Sequence, residues 1–190
     1  MSGMYHYLKK SWDSSTSEEI KTRMIAWRKS EAAVVLEKPT RIDKARKLGY
    51  KAKKGFVVVR IRLKRGGRKR SMMGVKGRKS RKQHHRKILK MNYQWVAEIR
   101  AAKKFKNLEI LNSYQVGKDG KNYFFDVIMI DPERPEIKND PVYSWISNPK
   151  NSNRAERGLT SAAKKSRGLR KKSRNMKVRP SLRSWGRKGK

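Results

Sequence analysis

Apolar residues recur along this chain at two spacings, and the change of spacing marks its elements. The cleanest alternation is FVVVRIRLK at 56–64. There Val57, Val59, Ile61 and Leu63 fall on one side, and Val58, Arg60, Arg62 and Lys64 on the other. A period of two predicts a strand with an apolar face on a core and a cationic face turned outward. Two further strands are predicted at 108–116 and 122–130, joined at Asp119-Gly120, a tight-hairpin signal. Asp131-Pro132 closes the second of them, and a short apolar run at 32–36 suits a fourth strand.

Between these strands the spacing changes to that of helices. Residues 4–12 set Tyr5, Leu8 and Trp12 on one side. After SSTSEE, in which Thr16 and Glu19 form a capping box, Ile20, Met24 and Trp27 fall at i, i+4 and i+7. Pro39, Thr40 and Asp43 open a short helix that Gly49 ends. Asn92 can cap a helix carrying Trp95, Val96, Ile99 and Ala102. Lys103, Lys104 and Lys106 suit the negative end of that helix's dipole. Val142, Tyr143, Trp145 and Ile146 look like a small apolar anchor.

Charge adds what periodicity does not. The 190 residues include 53 Lys and Arg against 15 Asp and Glu, a formal net charge of +38. The distribution is uneven. Residues 44–97 hold 21 basic residues and no acid, and 157–190 hold 14 and no acid. The rest of the chain has 18 basic residues against 15 acidic ones, so a nearly neutral body carries two basic arms. Like charges this dense repel within the compact state, and a polyanion that releases condensed counterions relieves them. Membrane surfaces and acidic proteins are polyanions too, so charge alone fixes the sign of the partner. Cysteine is absent, which excludes disulfides and thiolate zinc sites. MSGMYHYLKK has no apolar run of the signal-peptide kind, and 123–130, interrupted by Asp126, is too short to span a bilayer.

The densest stretch is 60–90, with 15 basic residues and no acid. It is read as a strand, a loop punctuated by Gly66, Gly67, Gly74 and Gly77, and then a basic helix. Charges on a merely solvated face would alternate in sign, and Arg60, Arg62 and Lys64 do not. Arg65, Arg68, Lys69, Arg70, Lys76, Arg78 and Lys79 line the loop, and Arg81, Lys82, Arg86 and Lys87 follow. Glycine lets backbone approach phosphates closely while these side chains supply charge. A phosphate-cradling P-loop needs Lys and then Ser or Thr after its final glycine, and Gly77 is followed by Arg78.

His84 and His85 are adjacent, and neighbours on a helix do not share a face, so they suit phosphate or base-edge contact, or simple exposure, better than a shared metal. In DPERPEIKNDP, the carboxylates of Asp131, Glu133, Glu136 and Asp140 could bind a metal, act as acid and base, or meet a basic protein. Proline spacing with Arg134 and Lys138 favours a capped turn. From 157 onward the chain is rich in Lys, Arg, Ser and Gly, too poor in large apolar groups to order itself alone. A short helix is expected at 159–167, resting on a partner.

Several stretches together resemble one family, the large-subunit ribosomal protein L15e of archaea and eukaryotes. They are Met4-Tyr5, Leu111-Asn112-Ser113-Tyr114, 127–132, Lys138-Asn139-Asp140 and Trp145, followed by RGLTSA from Arg157 and SRGLR from Ser166. Their order and spacing match over nearly the whole chain, and the ending from Arg179-Pro180-Ser181 to Trp185 looks archaeal. The chain departs from the family at 149–153, where a His-containing segment is usual, and at Ala163, where glycine is common.

The resemblance implies an α+β fold with an antiparallel β-α-β-α-β-β sheet. It implies a structural constituent of the large subunit that binds and stabilises ribosomal RNA, with no catalytic residue, metal or cofactor. The expected organisation is a body at 1–150 with an internal arm at 60–90, and an extended RNA-binding tail at 151–190, the body fixing where both arms enter. Besides the residues of the 60–90 stretch, the expected contacts are Arg157, Lys164, Lys165, Arg167, Arg170, Lys171, Lys172, Arg174 and Arg179. The expected partners are large-subunit ribosomal RNA and neighbouring large-subunit proteins, in the cytoplasm, with no membrane and no homo-oligomer. A free-standing nucleic-acid-binding module is the competing reading. An RNA-processing enzyme would have to use the histidine pair or the acidic turn.

Overall fold

A computed structural model describes residues 3–15, 17–69, 86, 87 and 89–170. The first half runs through helices α1 (Met4–Asp13) and α2 (Ser17–Lys29), strand β1 (Ala33–Leu36), helix α3 (Ile42–Lys47) and strand β2 (Phe56–Lys64). Two short strands follow, β3 (Arg68–Lys69) and β4 (Arg86–Lys87), then helix α4 (Tyr93–Lys104). Strands β5 (Glu109–Lys118) and β6 (Asn122–Ile130) and short helices α5 (Pro135–Lys138) and α6 (Ser161–Ser166) complete the described chain. The fold is α+β. Strands β1, β2, β6 and β5 form one antiparallel sheet in that spatial order, with α3 and α4 as the two intervening helices. The Thr16 cap lies outside the described residues.

One face of the sheet behaves as its alternation predicts. Val59 lies opposite Val35 and Val127, and Ile61 opposite Ala33 and Phe125. Of these, Val59, Ile61, Val127, Phe125 and Ala33, with Leu63 and Met129, pack in one core with Ala97 and Ala101 of α4, while Val35 stays exposed. Alanine at those two positions lets the helix lie close to the sheet. Burying each large apolar side chain in this layer contributes roughly 1.5–3 kcal/mol.

The other face differs from its expectation. Val58, Phe124 and Ile128 on it are buried, with Ala45 of α3 and Tyr114 of β5 packed against Ile128. The Trp27 ring of α2 meets Phe124 edge-on at 5.3 Å. Arg60 therefore does not face water. Its guanidinium lies 4.2 Å over the Trp27 ring, donates to Asp126 Oδ1 at 3.2 Å and also donates to Thr40 Oγ1. Asp126 is fully buried and further accepts the Tyr114 hydroxyl at 3.1 Å and the Thr40 N–H at 3.3 Å. Burial, then the Asp126 charge, pushes the Tyr114 phenol well above its usual range. Arg62 donates to the carbonyls of Arg28 at 2.5 Å and Ser30 at 3.2 Å, so it ties down the end of α2. Alternation assigned these residues to a side correctly. It carried no information about α2 and α3 covering that side.

Part of the chain beyond residue 150 packs on the body. Ala155, Thr160, Ala162 and Ala163 are buried, and α6 packs on α4 of its own chain rather than waiting for a partner. The acidic stretch is a capped turn. Asp131 pairs with Arg134, Glu133 with Lys138, and Asp140 with Lys51 and Lys53. The hydrogen bond from Lys53, with support from the Val142 N–H, depresses the Asp140 carboxyl to about 2. Tyr143 and Ile146 of the apolar anchor are buried, while Val142 and Trp145 stay exposed.

Candidate nucleic-acid interface

The two basic arms are rooted at one corner of the body. The first leaves the end of β2, where Lys64 lies opposite Asn122. Two residues on, Gly66 takes a left-handed φ of 104°, which glycine adopts without the penalty a side chain brings. The Tyr93 hydroxyl, in the first turn of α4, accepts the Gly66 N–H and donates to the Gly66 carbonyl, each at 3.0 Å. Farther out, Arg68 lies opposite Lys87 and Lys69 opposite Arg86, so the outgoing and returning chains pair as a ribbon. Arg86 and Lys87 are thus in a strand, where a helix was expected. The expected contacts Arg70, Lys76, Arg78, Lys79, Arg81, Lys82, His84 and His85 lie outside the described residues.

The first arm returns at Lys90, Met91 and Asn92, and there it meets the start of the second. Ser166, the last residue of α6, accepts the Asn92 N–H at 3.0 Å and donates to the Lys90 carbonyl at 3.1 Å. Lys90 takes an unusual left-handed φ of 53°. Asn92 does two jobs. Its side-chain oxygen accepts the Trp95 N–H at 2.8 Å, the cap the sequence predicts, and its amide donates to the Ala162 carbonyl at 3.1 Å.

A buried carboxylate fixes α6 in place. Glu98 of α4 is fully buried and accepts the hydroxyls of Ser113 and Thr160, each at 2.5 Å. Thr160 Oγ1 also accepts the Ala163 N–H at 3.3 Å and so caps α6. Burial pushes the Glu98 carboxyl up, against the two hydroxyl hydrogen bonds and the Arg154 charge, which work to lower it. Just before α6, Gly158 has φ 70°, and a Cβ there would meet Arg167 Nη1 at 2.9 Å. That close approach lets Arg167 donate to the Gly158 carbonyl at 3.0 Å.

The cations of this corner are legible in the sequence, and the residues that aim them are not. Tyr93, Glu98, Thr160 and Ser166 are ordinary in type, and their roles come from contacts at separations such as 62 residues for Glu98 and Thr160. The one local signal was Thr160 ahead of an alanine-rich turn, a helix-start pattern.

Electrostatics separates the corner from the rest of the body. Body acids serve body cations, through pairs such as Asp43 with Arg41, Asp119 with Arg28 and Asp126 with Arg60. Burial works to raise the Asp43 carboxyl, but hydrogen bonds from Arg41 and the Lys44 backbone outweigh it and hold it low. Among the described residues, no carboxylate lies within salt-bridge distance of Lys64, Arg65, Lys90, Arg157, Lys164, Lys165, Arg167 or Arg170. Of these, Lys64, Arg65, Lys90, Lys164, Lys165 and Arg170 are exposed at the corner. Arg65 lies 5.0 Å over the Tyr123 ring and donates to the Asp119 carbonyl, and Arg170 donates to Ser161 Oγ at 3.0 Å. Arg157, also exposed, donates to the carbonyls of Ser152 and Lys150. Lys171, Lys172, Arg174 and Arg179 lie outside the described residues.

Among the described residues no group of three or more His, Asp or Glu side chains could hold a metal ion, and no helix is long and apolar enough to cross a membrane. What the chain presents is a mixed helix-and-sheet body with basic segments rooted together. The family model described as Ribosomal L15 matches residues 3–185 of the 190, and the chain belongs to that L15e family of ribosomal proteins. The family consists of structural proteins of the large ribosomal subunit and not of enzymes.

Proposed function

We propose that this chain binds and stabilises large-subunit ribosomal RNA through two basic arms, 60–90 and the segment from Arg157 onward. The observation that supports this most is the corner where Tyr93 holds Gly66, Ser166 holds Lys90, and exposed cations lack carboxylate partners. Cations left unpaired by the protein are free to replace the counterions of a phosphate backbone. Most such contacts position the protein without reading sequence, and RNA shape and 2′-hydroxyls supply the selectivity. Arg60 and Arg62 act indirectly in this scheme, by holding α2 and the sheet that carry the corner. The protein works in the large subunit in the cytoplasm, beside neighbouring large-subunit proteins.

Replacing Lys164, Lys165 and Arg170 together with glutamine tests the reading. Each lost phosphate contact reduces the salt slope of binding by about 1, so the triple variant should bind a large-subunit rRNA transcript with a slope lower by about 3. Unchanged affinity and slope would remove this corner from the interface.

A further inference from the structure

Resting on the two-arm reading, we propose that Ser166 is a positioning residue that makes the arms grip RNA as one bivalent unit. A serine hydroxyl can accept one hydrogen bond and donate another, and Ser166 uses both on the return of the first arm. Ser166 is also the last residue of α6, within the first turns of the second arm, so one side chain fixes the return of one arm against the start of the other. Tyr93 secures the outgoing root by its double contact with Gly66. The fold does not depend on this latch, because Glu98–Thr160 and Asn92–Ala162 hold α6 on α4 independently.

Rigid linkage matters because it sets the effective concentration of the second arm once the first is bound. Linked sites exceed either single affinity by roughly 10²–10⁴ when the geometry suits. Ser166→Ala leaves every cation in place and α6 still docked on α4, but it removes the two hydrogen bonds that hold the Lys90–Asn92 return to the end of α6 and so loosens one root against the other. It lowers affinity only while both arms can engage. A residue that merely stabilised the fold would act equally whether one arm or two could bind.

The test measures binding of the full chain to a large-subunit rRNA transcript in two backgrounds. One is the native chain, and the other has Arg78, Lys79 and Lys82 replaced by glutamine to weaken the first arm. Ser166→Ala should lower affinity on the order of tenfold in the native background and leave it unchanged in the weakened one. Ser166→Thr, which keeps the hydroxyl, should restore binding, and Tyr93→Phe should reproduce the background-dependent loss. Equal losses in both backgrounds, or no loss in the native one, would overturn the proposal. A weakened-arm chain that binds as tightly as the native chain would instead overturn the two-arm reading itself, and with it this inference.

Discussion

Asp126→Ala should destabilise the fold by about 3–5 kcal/mol, the cost of leaving a mostly buried guanidinium without its partner. Arg60 has only 13% of its side chain exposed and Asp126 none, so water cannot take over the lost contact. The substitution also strips the acceptor from the Tyr114 hydroxyl and the Thr40 N–H. For a chain of this size the melting temperature should fall by roughly 6–20 °C, measurable by circular dichroism. Replacing both partners together, as Arg60→Met with Asp126→Leu, should recover part of the loss, because an apolar pair avoids burying an unpaired charge while the Tyr114 hydroxyl and the Thr40 N–H still lack their acceptor. A single-variant loss below about 1 kcal/mol would mean that Arg60 finds water and that the α2-covered face is open.

Raising monovalent salt from 50 to 200 mM should weaken binding to a large-subunit rRNA transcript by about 10³–10⁵. That range corresponds to roughly 6–10 neutralised phosphates. The exposed corner cations Lys64, Arg65, Lys90, Lys164, Lys165 and Arg170 reach the lower bound before any contribution from the rest of the arms. Exposed paired charges elsewhere contribute little, since Lys104 and Lys138 already have Glu31 and Glu133. A filter-binding titration showing less than a tenfold loss would mean that the arms do not track phosphate.

Much of the fold could be read from residue patterns, because strand alternation and helix caps are local. Asn92 and the Asp119-Gly120 turn were found this way, since a cap and a hairpin are decided within a few residues. The strand of Val57, Val59, Ile61 and Leu63 was found for the same reason. Arg60 was misplaced because a cation on a strand looks the same whether it meets water or a buried carboxylate 66 residues away. The return of 155–163 was hidden by its small residues. Ala155, Ala162 and Ala163 have little apolar area, so the segment looked like tail, yet small side chains are what fit against α4. Charge mapping identified both arms but treated the body as what separates them. Ser166 and Tyr93 show that their roots adjoin, a relation that depends on contacts 76 and 27 residues apart.

The absence of cysteine makes the central claim directly measurable, since a single introduced thiol can carry a tethered iron chelate. Lys90→Cys and Arg170→Cys place it at the two roots. Val142→Cys places it on an exposed residue next to Tyr143, which packs where Phe56 and Ile130 pair at the opposite end of β2. With each labelled protein assembled into large subunits, hydroxyl-radical cleavage of the ribosomal RNA is mapped along its sequence. The two root positions should cut overlapping sets of nucleotides, and Val142→Cys a different set or none. Separate cleavage sets from Lys90→Cys and Arg170→Cys, or no cleavage from either, would contradict two arms entering RNA from one corner.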